Sequence, residues 1–299
     1  MPNADDPGRR SYSLLNLYEE CGHKYLKTWA EDPGSSDRDN TTWWLHAGTA
    51  VHEAIEYYES WLACEPFILT RAAFDAGIRL AGDRFQVILA EMAAKAGARV
   101  DDWQAAKKGE EDGPWWFANG PKMVRQYAET RRNRYDWRLI GSEVKYTMDI
   151  VGVPFGGSID QLWYSFAADG FAIDDIKSGA TCPTSIEQLA WYAYAIEANG
   201  VQFTLNDQPL ELDQYTREVL QVGYHHVRPG ARGRYWSARE WVAEWPDMTQ
   251  RLISMDEAVE AGSFPVRSGW LCRFCPAWDG CWGIGGMGGV TSLDERQGL

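Results

Sequence analysis

Acidic side chains and one lysine in the middle of the chain have types and spacings suited to phosphate chemistry. Asp160 lies in a run of alternating character, and Asp175 and Lys177 follow the apolar residues 171–173. Residues i and i+2 of a strand share a face, so Asp175 and Lys177 should point together while Ile176 points into the core. Carboxylates bind Mg²⁺ or Mn²⁺, which can polarise a phosphate and acidify a bound water. The pattern therefore predicts a cation site beside a phosphodiester, with the lysine stabilising developing charge.

Two strands and a helix are expected to position these groups. A turn at Asp169–Gly170 separates the strand of Asp160 from the strand of Asp175. The helix that follows presents Gln188 and Tyr192 on one face, because they are four residues apart. That face either lines the site or packs on the sheet.

A solvent-exposed ion pair is the alternative explanation for Asp175 and Lys177. Asp-x-Lys is common on solvated strand edges, where such a pair contributes little. Here Asp174 adds a second acid, and both acids follow an apolar run that is expected to be buried. Together with Asp160, this favours a catalytic interpretation.

The order of these motifs resembles that of the PD-(D/E)XK nuclease superfamily. The matching stretches are Gly157–Asp160, Asp175–Gly179, and Gln188 with Tyr192. Within the superfamily, the chain is most similar to the RecB-like exonucleases, including CRISPR-associated and phage-borne relatives and the AddB nuclease domain. Each motif alone is weak evidence. Their order and spacing make the resemblance specific, and it extends from about Tyr12 to Cys281.

The resemblance implies a metal-dependent deoxyribonuclease and assigns a role to each matching position. Metal ligation is implied for His52, Asp160, Asp175 and the main-chain carbonyl of Ile176, and catalytic roles for Asp160, Asp175, Lys177, Gln188 and Tyr192. Glu143, at the start of the strand EVKYTMDI, lies where related nucleases carry a glutamate. We place it beside the ligands rather than among them.

His52 needs the downstream acids to be interpreted as a ligand. Thr49 is expected to cap a helix that has His52 in its first turn. A histidine near an apolar helix is more often a core or surface residue. With the acids, an imidazole in a mixed His and carboxylate site is the better interpretation, and Gly48–Glu53 resembles the first motif of the superfamily, in which a helix-borne histidine binds metal.

Four cysteines form a second constellation. Cys272, Cys275 and Cys281 have C-x2-C-x5-C spacing, and Cys21 lies near the start of the chain. Thiolates spaced in this way can chelate one cofactor, and a distant fourth ligand would join the chain ends. Zinc is one candidate, but structural zinc sites typically use two close pairs. One distant and three clustered cysteines favour a [4Fe-4S] cluster and resemble the iron-sulfur RecB-like nucleases.

Two details of the cysteine pattern qualify this assignment. The family usually has proline directly after its first cysteine, whereas this chain has Gly22. Cys64 and Cys182 remain outside the constellation, and we expect them to be small core residues.

Composition indicates what kind of nucleic-acid binding to expect. The formal net charge of −14 is unusual for a DNA-binding protein, because Lys and Arg contacts to phosphates supply most non-specific affinity. A broad DNA-coating surface is therefore not expected, and binding should depend on metal and on local basic stretches. Residues 122–145 are locally basic, and RPGARGRYW at residues 228–236 has three arginines. These arginines either grip phosphates or lie on an exposed hairpin tip, and the sequence does not favour one explanation.

No apolar run reaches the ~20 residues of a membrane span, and no signal peptide is recognisable, so a cytoplasmic location without membrane partners is expected. The predicted fold is α/β, with a central mixed sheet flanked by helices and an iron-sulfur patch formed by the termini. We expect one nuclease domain over residues 11–283, a helical insertion at about 65–130, and flexible tails at 1–10 and 284–299.

The predicted function is Mg²⁺- or Mn²⁺-dependent cleavage of DNA by an exonuclease or other nuclease. Recombination, repair or phage DNA processing is the expected context, with DNA and a recombination or CRISPR-adaptation-type protein as partners. The alternative is a nuclease-like subunit that holds an iron-sulfur or zinc site and binds DNA or a partner without cutting. The intact acids and Lys177 favour the enzyme.

Overall fold

The computed structural model describes most of the chain. The described residues are 9–30, 43–64, 70–103, 111–132, 136–237 and 239–269, with Cys272, Cys275, Ala277 and Cys281. The predicted C-terminal tail, at 284–299, lies outside them, as do residues 1–8 of the predicted N-terminal tail. Arg10, at the end of that tail, donates its main-chain N–H to Pro154 at 2.8 Å and pairs with Asp256 at 2.7 Å.

A seven-stranded mixed sheet forms the centre of the molecule. In chain order its strands are β1 (Trp137–Ile150), β2 (Val153–Ser165), β3 (Gly170–Lys177), β4 (Gln202–Leu205), β5 (Gln208–Pro209), β6 (Val219–His226) and β7 (Arg234–Ser237). Their spatial order is β5-β4-β1-β2-β3-β6-β7. The β3–β6 pair is parallel and the other neighbouring pairs are antiparallel. The sheet confirms the predicted α/β class.

Helices cover both faces of this sheet. They are α1 (Tyr12–Glu20), α2 (Gly22–Tyr25), a π-helical turn at Leu26–Ala30, α3 (Trp43–Cys64), α4 (Arg71–Lys95), α5 (Gly113–Arg131), α6 (Glu187–Glu197) and α7 (Trp245–Glu260). Residues of α1, α6 and α7 share one apolar core with the sheet. Residues of α3, α4 and α5 form a second core, which Ile176 joins from β3. None of the described helices is long and apolar enough to cross a bilayer.

Strand β3 belongs to both cores because its side chains alternate between the two faces. Phe171 and Ile173 lie in the core beneath α6, and Ile176 lies in the core beneath α3. Asp175 therefore points to the α6 side, and Asp174 to the α3–α5 side. The sequence predicted that Ile176 points away from Asp175, but it placed Asp174 beside Asp175 and not on the opposite face.

The helix that carries His52 begins earlier than predicted. It starts at Trp43, and the hydroxyl of Thr49 donates to the Leu45 carbonyl at 3.1 Å, within the helix. The prediction that Thr49 caps the helix was wrong. Ala47 is fully buried although Leu45 is exposed, so packing of one side of this turn extends the helix through Gly48 despite its weak helix propensity.

Close contact between α4 and α5 depends on the missing side chain of Gly120. A Cβ at this position would lie 2.0 Å from the ring of Phe85, which is fully buried. Neither helix can yield without disturbing the second core, because protein interiors are densely packed. Gly120 therefore sets the separation of the two helices.

We expect Gly120→Ala to lower the free energy of unfolding by about 1–3 kcal/mol through overpacking, as measured by urea denaturation. Gly48→Ala is the matched control, because its added methyl group would meet only Ser178 Oγ, at 3.5 Å. Alanine should also favour the helix there. Equal stability of the two variants would contradict the proposed helix contact.

Candidate active site

Asp160 lies at the point where strands β2 and β3 separate. The ladder between them ends at the pair Gln161–Asp174. Beyond that pair, the Ile176 N–H donates to Asp160 Oδ2 at 2.7 Å, so the carboxylate replaces a ladder hydrogen bond. In a regular strand, Ile159 and Leu162 would point to opposite faces, because they are three residues apart. Both lie in the core beneath α6, so the alternation of side chains along β2 reverses at Asp160.

His52 reaches this separation from helix α3. Its Nε2 lies 3.1 Å from the Ile176 carbonyl oxygen, and its Nδ1 lies 3.6 Å from Asp160 Oδ2 and 3.6 Å from Glu143 Oε1. The main chain of Ile176 thus contacts two of the predicted ligands, through its N–H and its carbonyl. The imidazole connects the helical layer to the strand ends.

Glu143 is brought to the same place by an irregularity in β1. Ser142 pairs with Gln161 and Val144 with Ile159, so Glu143 lies opposite Asp160. Its φ is 53°, in the left-handed region that costs a non-glycine residue energy and that clusters at functional sites. Ser158 donates its hydroxyl to Glu143 Oε2 at 3.0 Å, which fixes the carboxylate. The sequence indicated no such backbone conformation.

These three side chains form a candidate metal site. One ligand atom each from His52, Glu143 and Asp160 lies within 4.8 Å of the others. Two carboxylates and an imidazole can bind a divalent cation, with carboxylate oxygens suiting Mg²⁺ and Mn²⁺. Asp175 is outside this set, although the sequence placed it among the ligands and left Glu143 beside them.

The electrostatics fit a positively charged ligand. Burial lowers the pKa of His52, but the charges of Asp160, Glu143 and Asp175 outweigh burial and raise the pKa to about 9. Burial and the nearby Asp175 carboxylate raise the pKa of Asp160 to about 7. Carboxylates packed this closely repel one another and need positive charge between them, which a divalent cation supplies. The donor set therefore fits the predicted metal.

Asp175 and Lys177 project together on the α6 side of the sheet. Lys177 Nζ lies 2.5 Å from Asp175 Oδ2 and donates to Gln188 Oε1 at 3.3 Å. Gln188 Nε2 in turn donates to the Tyr192 hydroxyl at 2.8 Å. The ammonium also lies 5.4 Å from the centre of the Tyr224 ring. Helix α6 and strand β6 thus hold the lysine beside the acid.

A buried chain of hydrogen bonds reaches Gln161, the residue next to Asp160. The Tyr127 hydroxyl donates to Glu59 Oε1 at 2.7 Å and accepts from Gln161 Nε2 at 2.6 Å. Gln161 follows Asp160, and Glu59 lies two helical turns after His52 on α3. This chain links the helix of the histidine to the strand of the carboxylate. No short motif marks it, because its members come from three separate elements.

A mixed sheet that gathers carboxylates, a histidine and a lysine where two strands separate is typical of metal-dependent nucleases. The model of the PD-(D/E)XK nuclease superfamily matches residues 9–282. The chain therefore belongs to this superfamily, and the predicted resemblance is confirmed at that level. No curated protein sequence matches the chain significantly.

Described segments from the early and the late part of the chain meet around Cys21. The helical segment is interrupted there, between α1 and α2. The Gly22 N–H donates to the Pro265 carbonyl at 2.9 Å, and the Tyr18 hydroxyl donates to the Ser263 carbonyl at 2.9 Å. A Cβ on Gly22 would lie 2.7 Å from Pro265 atoms, so glycine permits this close approach.

Described cysteines from both ends influence one another. Burial raises the pKa of the Cys275 thiol, and the nearby thiols of Cys21 and Cys272 raise it further. The Cys275 N–H donates to the Cys272 carbonyl at 3.0 Å, which forms a turn between the two. Several thiols near one another are a donor set that a thiophilic metal or cluster can use.

Proposed function

We propose that this protein is an Mg²⁺- or Mn²⁺-dependent deoxyribonuclease that hydrolyses phosphodiester bonds. The main support is the position of the Asp175–Lys177 pair, one residue on either side of Ile176, whose main chain contacts His52 and Asp160. Metal-binding groups and a cationic side chain thereby face one small volume. A phosphate placed there meets charge stabilisation from both.

Each residue has a distinct role in the proposal. His52, Glu143 and Asp160 hold the cation, with Asp175 and the Ile176 carbonyl completing its surroundings. The cation supplies polarisation of the phosphate and a more acidic bound water. Lys177 stabilises the charge that develops on the phosphate, and Gln188 and Tyr192 keep its ammonium in place.

We infer a RecB-like exonuclease acting in recombination, repair or phage DNA processing. The support is the motif order, from the helix-borne His52 to Gln188 and Tyr192, and the cysteine pattern at the chain ends. A protein partner of the recombination or CRISPR-adaptation type belongs to the same proposal. The non-cleaving alternative has no support from a specific contact, because the acids and Lys177 are intact and face one another.

Cleavage of labelled DNA tests the proposed function. Purified protein should degrade end-labelled DNA in Mg²⁺ or Mn²⁺, and a chelator should stop the reaction. Single-stranded, duplex and circular substrates distinguish the mode of attack, since an exonuclease spares the circle. Absence of cleavage on every substrate in both metals would overturn the enzyme and favour the non-cleaving subunit.

We also propose a [4Fe-4S] cluster held by Cys21, Cys272, Cys275 and Cys281. The proximity of Cys21, Cys272 and Cys275 and the hydrogen bonds around Gly22 support it. The cluster would supply a covalent link between the chain ends rather than chemistry on DNA. Zinc bound to the same thiolates is the competing outcome and would leave the nuclease proposal intact.

A further inference from the structure

The arginine-rich segment after β6 lies at the same edge of the sheet as the candidate active site. Strands β3 and β6 are parallel, and Lys177 pairs with His226 at their carboxyl ends. The chain continues from His226 into residues 227–233 and returns as β7. Because parallel strands end at the same edge, this segment emerges one strand away from Lys177.

The strand register places Arg234 in line with Asp175. Asp175 pairs with Tyr224, and Tyr224 pairs with Arg234, so the three residues form a row across the sheet. Neighbouring strands are about 4.8 Å apart, which separates the Cα atoms of Asp175 and Arg234 by about 10 Å. This distance is about three nucleotides of a duplex strand at its 3.4 Å rise.

Contacts confirm that this row shares the face that carries Lys177. The Tyr224 ring lies beneath the Lys177 ammonium and packs edge-on against Trp236, with ring centres 5.8 Å apart. Trp236 and Arg234 are two residues apart on β7 and therefore project from the same face. Burial raises the pKa of the Cys182 thiol, whereas the charges of Arg234 and Lys177 lower it, so this thiol lies within electrostatic reach of both.

The three arginines of this segment have different surroundings. Arg228 forms a two-pronged ion pair with Glu111, donates to the Ser178 carbonyl at 2.9 Å, and lies 4.9 Å from the centre of the Trp115 ring. It is committed to internal contacts. Arg232 and Arg234 are exposed, and neither makes an ion pair with any residue in the described part of the chain.

The two chain segments that follow β3 and β6 at this edge carry no acidic residue. Residues 178–186 and 227–237 include no Asp or Glu, although the chain has a net charge of −14. In the other basic stretch, Arg125, Arg131 and Lys145 pair with acids. Unpaired guanidinium groups beside the active site are well suited to phosphate, which they bind with bidentate geometry.

We propose that Arg232 and Arg234 form a phosphate-binding subsite for the DNA strand that is cut at the active site. The subsite holds the backbone within about three nucleotides of the scissile bond and reads no bases. It thus deepens the proposed nuclease function, on which it rests, by defining where the strand leaves the metal centre.

Salt-dependent DNA binding tests this subsite. The Arg232→Ala/Arg234→Ala variant and its parent, both carrying Asp175→Asn so that cleavage cannot occur, are compared by fluorescence anisotropy with a labelled single-stranded oligonucleotide at a constant Mg²⁺ concentration. Losing two phosphate contacts should weaken binding and reduce the slope of log K against log salt by about 1.4. In Mg²⁺ or Mn²⁺, KM for cleavage should rise while kcat stays within about twofold. The Lys/Lys variant should restore most of the slope.

The matched control is Arg79→Ala/Arg138→Ala, which changes the charge equally at exposed positions. Arg79 is on α4, and Arg138 is near the start of β1, at the opposite end of the sheet. Equal affinities and salt slopes for the two double variants would overturn the subsite, and wild-type cleavage would still support the nuclease. If the wild type binds DNA through Arg232 and Arg234 but does not cut it, phosphate binding by these arginines stands, whereas the proposed function and a position beside a scissile bond fail.

Discussion

The Asp175→Asn variant is expected to lose DNA cleavage by on the order of 10³-fold or more while keeping the wild-type fold. The amide preserves the shape of the side chain but removes the negative charge that faces the metal site and pairs with Lys177. Burial raises the pKa of Asp175, so its ionised form costs native-state stability at neutral pH. The neutral amide removes that cost, and the Tm should stay the same or rise. Initial cleavage rates and thermal unfolding measure the two effects.

Asp174→Asn is the matched control for this experiment. Asp174 is the preceding residue and equally buried, but it projects to the other face, where its carboxylate lies 3.7 Å from His225 Nδ1. We expect Asp174→Asn to retain cleavage within about tenfold of the wild type, because it does not face the metal. Near-normal cleavage by Asp175→Asn, or an equal loss in both variants, would show that the chemistry is not located at Asp175.

The Cys272→Ser variant is expected to lose the cofactor and to loosen both ends of the chain together. Cys21 and Cys272 are about 250 residues apart, and a cross-link that closes a loop of this length contributes on the order of 5 kcal/mol by the chain-entropy estimate. Neither apolar core contains any of the four cysteines proposed to bind the cluster. The sheet should therefore remain folded when the cluster is lost. Faster hydrogen exchange in residues 12–25 and 263–267, together with a lower Tm, would record the loosening.

Cys64→Ser and Cys182→Ser are the controls, since neither residue belongs to the proposed ligand set. Protein purified without oxygen should be brown, with broad absorbance near ~400 nm and equal amounts of iron and sulfide. Cys64→Ser and Cys182→Ser should keep this colour. Colourless wild-type protein with about one zinc per chain would show that the site binds zinc and not a cluster. Unchanged hydrogen exchange in both segments of Cys272→Ser would show that no cofactor links them.

Local sequence patterns were sufficient for strands β2 and β3 and for part of the site. The alternation around Asp160 and the apolar run before Asp175 predicted two adjacent strands, and β2 and β3 pair as expected. The two-residue period of a strand placed Asp175 and Lys177 on one face of β3, where their side chains form an ion pair. Patterns of this kind succeed where a strand is regular, because successive side chains then point to opposite faces of the sheet.

Tertiary structure decided where the remaining groups lie. Glu143 faces Asp160 because its backbone has a left-handed conformation at the point of β1 that lies opposite the separation of β2 and β3. No periodicity in the sequence predicts this conformation. Helix α3 begins at Trp43 because packing overrides the capping signal of Thr49. Contacts between residues far apart in the chain cannot be inferred from local propensity, since they depend on how separate elements pack.

The arginines of the segment after β6 show the same division. The sequence identified three cations among glycines and aromatics and did not distinguish a phosphate grip from an exposed tip. Folding pairs Arg228 with Glu111, from a segment more than a hundred residues earlier, and leaves Arg232 and Arg234 without ion pairs to described residues. Residue types and their order along the chain thus determined the family and the candidate chemistry. Long-range packing determined which charges are neutralised internally and which remain for a ligand, because an ion pair depends on distance in space.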